Sequence, residues 1–258
     1  KSAGIKWVAG FPENHKRGLP YITGLLILND VETGVPLAIM DCIWVTGMRT
    51  GAATGVAARY LARPDSESVG ILACGVQGRT NLMALMELFP IKRVHAYDVD
   101  RDGQARYVAE TSARYGVQVV GVDEPRAAVE EMDIVVTSGP ILLVPHATIQ
   151  PGWMKEGAFA SLVDFDSYWA PAAMKEVDKF VTDDVPQLDH YRQVGYLQDI
   201  PPVFADLGAI AAGLKPGRES PAERTMACNL GLAMDDMATA PIIYRRAREM
   251  GIGTWLEL

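Results

Sequence analysis

Residues 68–78 read Ser-Val-Gly-Ile-Leu-Ala-Cys-Gly-Val-Gln-Gly, a short aliphatic run that ends in a glycine-bearing turn. Residues 77–89 (QGRTNLMALMELF) then carry apolar side chains at helical spacing. Strand, glycine turn and helix in that order bring backbone N–H groups close to an anion, and the helix N-terminus adds partial positive charge. Gly75 leaves room for an approaching phosphate, flanked by Val76 and Gln77, and Gly78 allows close helix–strand packing. The usual pattern has a further glycine where Ala73 stands, and alanine serves there if its φ is negative.

Working outward from this turn, the pattern repeats. Strands are expected over 93–100, 117–122, 133–139, 157–166 and 178–184, with helices over 102–116, closed by Gly116, and 125–132. Strands alternating with helices of this length predict βαβ units, a parallel sheet and right-handed crossovers. Asp98 ends the second of these strands, 23 residues after Gly75. A carboxylate there suits the adenosine ribose hydroxyls of a dinucleotide and repels a 2′-phosphate, which favours NAD over NADP. A flavodoxin-like or methyltransferase-type sheet is the other reading of the same pattern. Thr137 and Ser138, ending the fourth strand, are expected to line the nicotinamide side of the cleft or to form an ordinary turn.

The chain ends read differently. Residues 5–8 and 21–28 are strand-like, the turn around Asn29, Asp30 and Gly34 predicts a hairpin, and 35–40 returns as a strand. A helix rich in small residues is expected over 49–62, able to approach a neighbour closely. Helix is also expected over 204–214 and 223–251, with a kink or break near Pro241. The predicted fold is therefore α/β: a Rossmann-type doubly wound sheet over 63–222, plus a discontinuous α+β domain from both chain ends, 1–62 and 223–258. The chain opens KSAGIKWVAGF without an initiator Met and is strand-like by Ile5, which reads as the middle of a fold from which an N-terminal part is missing.

Bulk composition narrows the classes. With 49% apolar and 22% charged residues the chain is an ordinary globular protein. A net charge of −8 without a basic block disfavours nucleic acid and anionic membranes. Three dispersed cysteines fit a reducing cytoplasm, and the four scattered histidines have no metal-ligand spacing.

The strings IKWVAGFPEN (5–14), GLPYITGLLILND (18–30) and MRTGAATGVAARYLA (48–62), followed by the glycine turn with Gln77, resemble the ornithine cyclodeaminase/mu-crystallin family over almost the whole chain. The resemblance implies an NAD-dependent oxidoreductase acting on the C–N bond of a small amino or imino acid, and a homodimer whose discontinuous domain, 1–62 with 223–258, serves substrate binding and dimerisation. It implies that Lys6 and Arg49 hold the substrate carboxylate and that Asp166 manages the amine proton. Another function in the family is a dinucleotide-bound carrier of small ligands with little turnover. Cyclising members follow their aspartate with Pro-Gly-Lys, whereas Ser167-Tyr168-Trp169 follows Asp166 here and Asp164 precedes it. Either aspartate could act, and the two aromatic residues suggest a bulkier or more apolar substrate. Plainer roles stand beside these: Lys6 as a solvated strand lysine, Asp166 as a cap, Asp183 and Asp184 in turns. Arg49, at the expected start of a helix, is disfavoured by the helix dipole, which strengthens a ligand role.

Overall fold

The computed structural model describes residues 1–256, the side chain of His15 apart. The chain divides into two compact units, one of residues 1–49 with 232–256 and one of residues 50–231.

In the smaller unit, β1 (Ala3–Gly10), β2 (Ile22–Asn29) and β3 (Pro36–Asp41) form an antiparallel sheet in that order. The expected hairpin is present: Asp30 accepts from the Thr33 and Glu32 amides, and Gly34 takes a φ of 74°. Leu26, Leu28, Cys42, Val45 and Ala240 form its core. The helix α7 (Ala233–Glu249) runs unbroken through Pro241. Proline removes the donor that would reach Met237 O, and the Ser2 hydroxyl donates to that oxygen instead at 2.7 Å.

In the larger unit, β4 (Ser68–Leu72), β5 (Arg93–Tyr97), β6 (Gln118–Gly121), β7 (Ile134–Thr137), β8 (Phe159–Leu162), β9 (Lys179–Thr182), β10 (Val203–Asp206) and β11 (Thr225–Cys228) form one sheet in the order 10-9-11-8-7-4-5-6. Every pairing in it is parallel. The helix α2 (Val76–Met86) follows β4, and α3 (Arg101–Tyr115) follows β5, ending on Gly116 in the left-handed region. Two buried apolar clusters make up its core.

Several expectations are corrected. The helix α1 spans Ile43–Leu61, because Asp41 accepts from the Ile43 and Trp44 amides and starts it early. Its small residues do permit close approach: a Cβ on Gly51 would lie 2.3 Å from Thr80 O. Residues 125–132 supply only the 3-10 turn Pro125–Ala128. Residues 204–214 split into β10 and α6 (Leu207–Ala211), capped by Asp206. Residues 223–231 contribute β11, so they belong with the large sheet and not with a terminal helix. Four-residue strands carry no period to distinguish them, and their pairing decides. The helices α4 (Pro171–Met174) and α5 (Val185–Gln193) complete the unit.

Candidate active site

The glycine turn stands at the carboxyl end of β4, a strand buried along its whole length. Ala73 does not take the expected negative φ; it sits at +77°, a conformation that strains an L side chain by about 1–2 kcal/mol. Three bonds over-determine it. The Ala73 amide donates to Tyr97 O at 2.9 Å, the Ser138 hydroxyl to Ala73 O at 3.0 Å, and the Cys74 amide to Asp98 Oδ2 at 2.6 Å. Strain of this kind gathers at functional turns.

Gly75 caps α2 without any side-chain bond, so the first amides of that helix face outward unpaired by a cap. A Cβ built on Gly75 meets nothing within 4 Å, and Val76 beside it is exposed. This open, amide-lined space fits the diphosphate of a dinucleotide. Gly78 works differently: a Cβ there would lie 2.6 Å from Ala73 O, so this glycine lets the helix close on the strand. The Gln77 side chain folds back onto Thr80 and Asn81 of its own helix. Asp98 accepts one backbone N–H on each oxygen, from Cys74 and Asp100, leaving two lone-pair sites for hydroxyl donors.

Arg79 was not singled out by the sequence. Its guanidinium donates to Cys74 O and Gly75 O, and is anchored on Glu110 at 2.6 Å. The sequence signal is a cation in the first turn of a helix, where the dipole does not favour one.

At the end of β7, Ser138 secures the glycine turn, but Thr137 is fully buried. Its hydroxyl donates to Asp164 Oδ1 at 2.7 Å and accepts from Trp169 Nε1, so it supports the site from below and does not line it. Past β8 come Asp164, Phe165 with a φ of 59°, and Asp166. Asp164 is wholly buried, and its second oxygen accepts the Gly139 amide at 2.9 Å. Burial pushes its carboxyl up to about 7 despite those bonds. Asp166 is held above the usual carboxylate range chiefly by burial, with Asp199 adding to it. One of its oxygens, Oδ1, is buried with no hydrogen-bond partner. The two aspartates thus differ: Asp164 is tied into the strand ends, and Asp166 has an acceptor to spare. Trp169 is 1% and Tyr168 7% exposed, and the Trp169 indole is tied to Thr137.

In the smaller unit, Lys6 and Arg49 meet on a residue the sequence reading passed over. Lys6 Nζ lies 2.7 Å from Asp236 Oδ1 and Arg49 Nε 3.5 Å from the same oxygen, all three side chains largely buried. Arg49 lies inside α1, beyond its first turn, so the helix-dipole argument for it falls away. Its Nε has no hydrogen-bond partner. Two cations on one carboxylate leave a single net positive charge, which suits an anionic ligand group. Asp236 escaped notice because its meaning depends on Lys6, 230 residues away in sequence, and on Arg49 of another helix. Asp183 and Asp184 serve turns, as expected: Asp183 accepts from the Leu230 and Gly231 amides, and Asp184 caps α5.

Comparison with known proteins shows the family and the fold. The chain is 34% identical to the alanine dehydrogenase of Archaeoglobus fulgidus, across 99% of its own length and 80% of that protein. It superposes on the Thermococcus litoralis Δ1-pyrroline-2-carboxylate reductase, solved with NADH and L-proline, with a TM-score of 0.87 and 33% identity, covering 99% of this chain and 81% of that one. An archaeal alanine dehydrogenase dimer with bound NAD gives the same TM-score at 34% identity, covering 100% and 81%. The model of the ornithine cyclodeaminase/mu-crystallin family matches residues 1–251, and the chain belongs to that family.

Proposed function

We propose that this protein is an NAD-dependent oxidoreductase that acts on the C–N bond of a small amino or imino acid. The observation that carries the reading is the glycine turn: an open Gly75, uncapped α2 amides and the Asp98 carboxylate at adjacent strand ends. Gly75, Val76, Gln77 and Gly78 form the turn that receives the dinucleotide, with Asp98 toward the ribose and Ser138 holding the turn in place. When bound, the nicotinamide accepts or gives the hydride.

The protein's own groups do the rest. Arg49 and Lys6 hold the substrate carboxylate, with Asp236 fixing their side chains. This is catalysis by positioning. Asp166 accepts a proton from the substrate nitrogen during oxidation and returns it during reduction. Its spare oxygen, and the burial that holds its carboxyl above the usual carboxylate range, suit an acid–base group.

The protein works as a homodimer in the cytoplasm. Ile5, Ile27 and Ile39 pair across the three-stranded sheet, as do Trp7 and Leu25. Trp7 is 73% and Ile39 63% exposed on that face, an apolar surface that a second copy would cover. All three cysteines are buried and unpaired, which suits a reducing compartment. No helix among the described residues is long and apolar enough to cross a membrane.

The test is steady-state NADH oxidation with a panel of imino acids, and of keto acids with amines, followed by NAD reduction with amino acids. Turnover with one of these classes is expected. NADH binding without turnover on any of them would replace the enzyme reading with a ligand-binding one.

A further inference from the structure

Tyr168 follows the Asp164–Asp166 turn, and its phenol is unusual among the buried tyrosines. Tyr107 donates to Gly78 O, whereas the Tyr168 hydroxyl makes no hydrogen bond to any described residue. The residue is only 7% exposed, yet its oxygen is not among the polar atoms sealed from solvent. A phenol held this deep normally finds a partner.

Its position says where the partner comes from. The ring rests on Gly139, just past β7: a Cβ on that glycine would come within 2.6 Å of Tyr168 Cε2 and 3.3 Å of the hydroxyl oxygen. His146 packs edge-on against the ring at 4.4 Å between centroids, with its Nδ1 held 2.8 Å from Thr148 Oγ1. The phenol also lies within the field of the Asp98 carboxylate, just past β5. The strands β4 and β7 are neighbours in the sheet, and the strand order runs outward from them in both directions. The hydroxyl therefore opens at the crevice where such a sheet receives its ligand. Burial first, then the Asp164 and Asp98 carboxylates, push this phenol up, so it keeps its proton at neutral pH and is a donor.

We propose that the Tyr168 hydroxyl donates a hydrogen bond to the diphosphate of the bound dinucleotide, complementing the amides of the α2 N-terminus. This rests on the dinucleotide reading given above. The assignment to the diphosphate follows from chemistry and place. Asp98 is an acceptor and takes the ribose hydroxyls, whereas a phenol proton seeks an acceptor, and anionic oxygens are the strongest available. The hydroxyl stands beside Gly139, and the adjacent Ser138 is bonded to Ala73 of the glycine turn, so it faces the strand ends over which the middle of the cofactor crosses. Gly139 is required by the same arrangement, since any side chain there would displace the ring.

The experiment uses the full chain and compares wild type with Tyr168→Phe. NADH affinity is read by fluorescence titration, and ADP and adenosine are measured by calorimetry. Loss of a hydrogen bond to a charged group should raise the Kd for NADH and for ADP about 10-fold, and leave adenosine unchanged. The melting temperature of the ligand-free protein should not move, because no internal bond is lost. An unchanged NADH Kd overturns the proposal. So does an equal loss for ADP and adenosine, which would move the contact to the nucleoside. A lower melting temperature with unchanged affinities overturns it in favour of a role in the fold. Wild type failing to bind NADH at all would overturn the dinucleotide reading and this proposal together.

Discussion

Asp133 and Asp236 are both buried carboxylates flanked by a lysine and an arginine, yet they differ in how fully the carboxylate itself is occupied. Asp133, at the amino end of β7, pairs with Arg63 at 2.5 Å and Lys155 at 2.8 Å. It also accepts the Glu67 and Ser68 amides and the Ser68 hydroxyl. Those partners hold its carboxyl down to about 2 against the pull of burial. Asp236 has Lys6 at 2.7 Å and Arg49 at 3.5 Å, and Arg49 Nε remains without an acceptor. A saturated cluster stabilises the fold. Both clusters leave an arginine Nε without a bond, Arg63 in one and Arg49 in the other, so the difference lies at the carboxylate. Among the described residues no backbone amide donates to Asp236, and its two cations are tied to little else that a ligand carboxylate would have to displace. The two also sit apart in kind: Asp133 lies at the sheet end opposite the glycine turn, where parallel sheets do not bind ligands.

The largest effect should come from breaking the saturated cluster. Asp133→Ala strands Arg63, Lys155 and two backbone amides, and should destabilise by about 3 kcal/mol. Thermal melting should show a fall of roughly 6–12 °C. A change under a few degrees would mean the cluster is not what closes that end of the sheet.

The same contrast predicts a pH dependence. A carboxyl whose folded pKa is depressed to about 2 adds stability above its unfolded pKa of 3.8 and loses it as pH falls through the folded value. Urea denaturation between pH 5 and 2 should show wild type losing stability over about pH 4 to 2, and Asp133→Asn losing less. Identical slopes would show that other carboxylates carry the acid transition.

Breaking the unsaturated cluster should move function and spare the fold. Arg49→Ala should weaken substrate binding about 10–100-fold, with NADH affinity and melting temperature close to wild type. Equal loss of substrate and NADH binding would sink the carboxylate-clamp assignment.

The smallest effect sharpens the comparison at the backbone level. Ala73 stores strain at φ +77° on the ligand side of the sheet. Ala73→Gly should relieve it and raise stability by up to about 1 kcal/mol, read by chemical denaturation. A destabilised variant would show that the alanine methyl matters more than its backbone.

Much of the nucleotide-binding half was legible because its signals are local. Strand, glycine turn and helix follow one another within 68–89, and Asp98 ends the next strand at the expected distance. Gly116 ends α3 as a left-handed residue because only the local backbone decides that. The β11 strand and the continuity of α7 past Pro241, where a kink or break was expected, rest on the opposite kind of signal. Thr225–Cys228 becomes a strand by pairing with β8 and β9, and the carbonyl that Pro241 leaves without its donor is met by Ser2, 235 residues from Met237.

The candidate site divides the same way. Lys6, Arg49, Gly75 and Asp98 could be singled out by residue type within recognisable strings, and those strings determine the parallel sheet, the glycine turn and the cation pair. Asp236 beneath the cations, the orphan oxygen of Asp166, the burial of Thr137 and the free Tyr168 hydroxyl are properties of side-chain environment. Local order along a chain sets periodicity, turns and caps, because these need only near neighbours. Which acceptor a buried donor finds, and which it lacks, is settled by groups far away in sequence, so only the tertiary structure decides it.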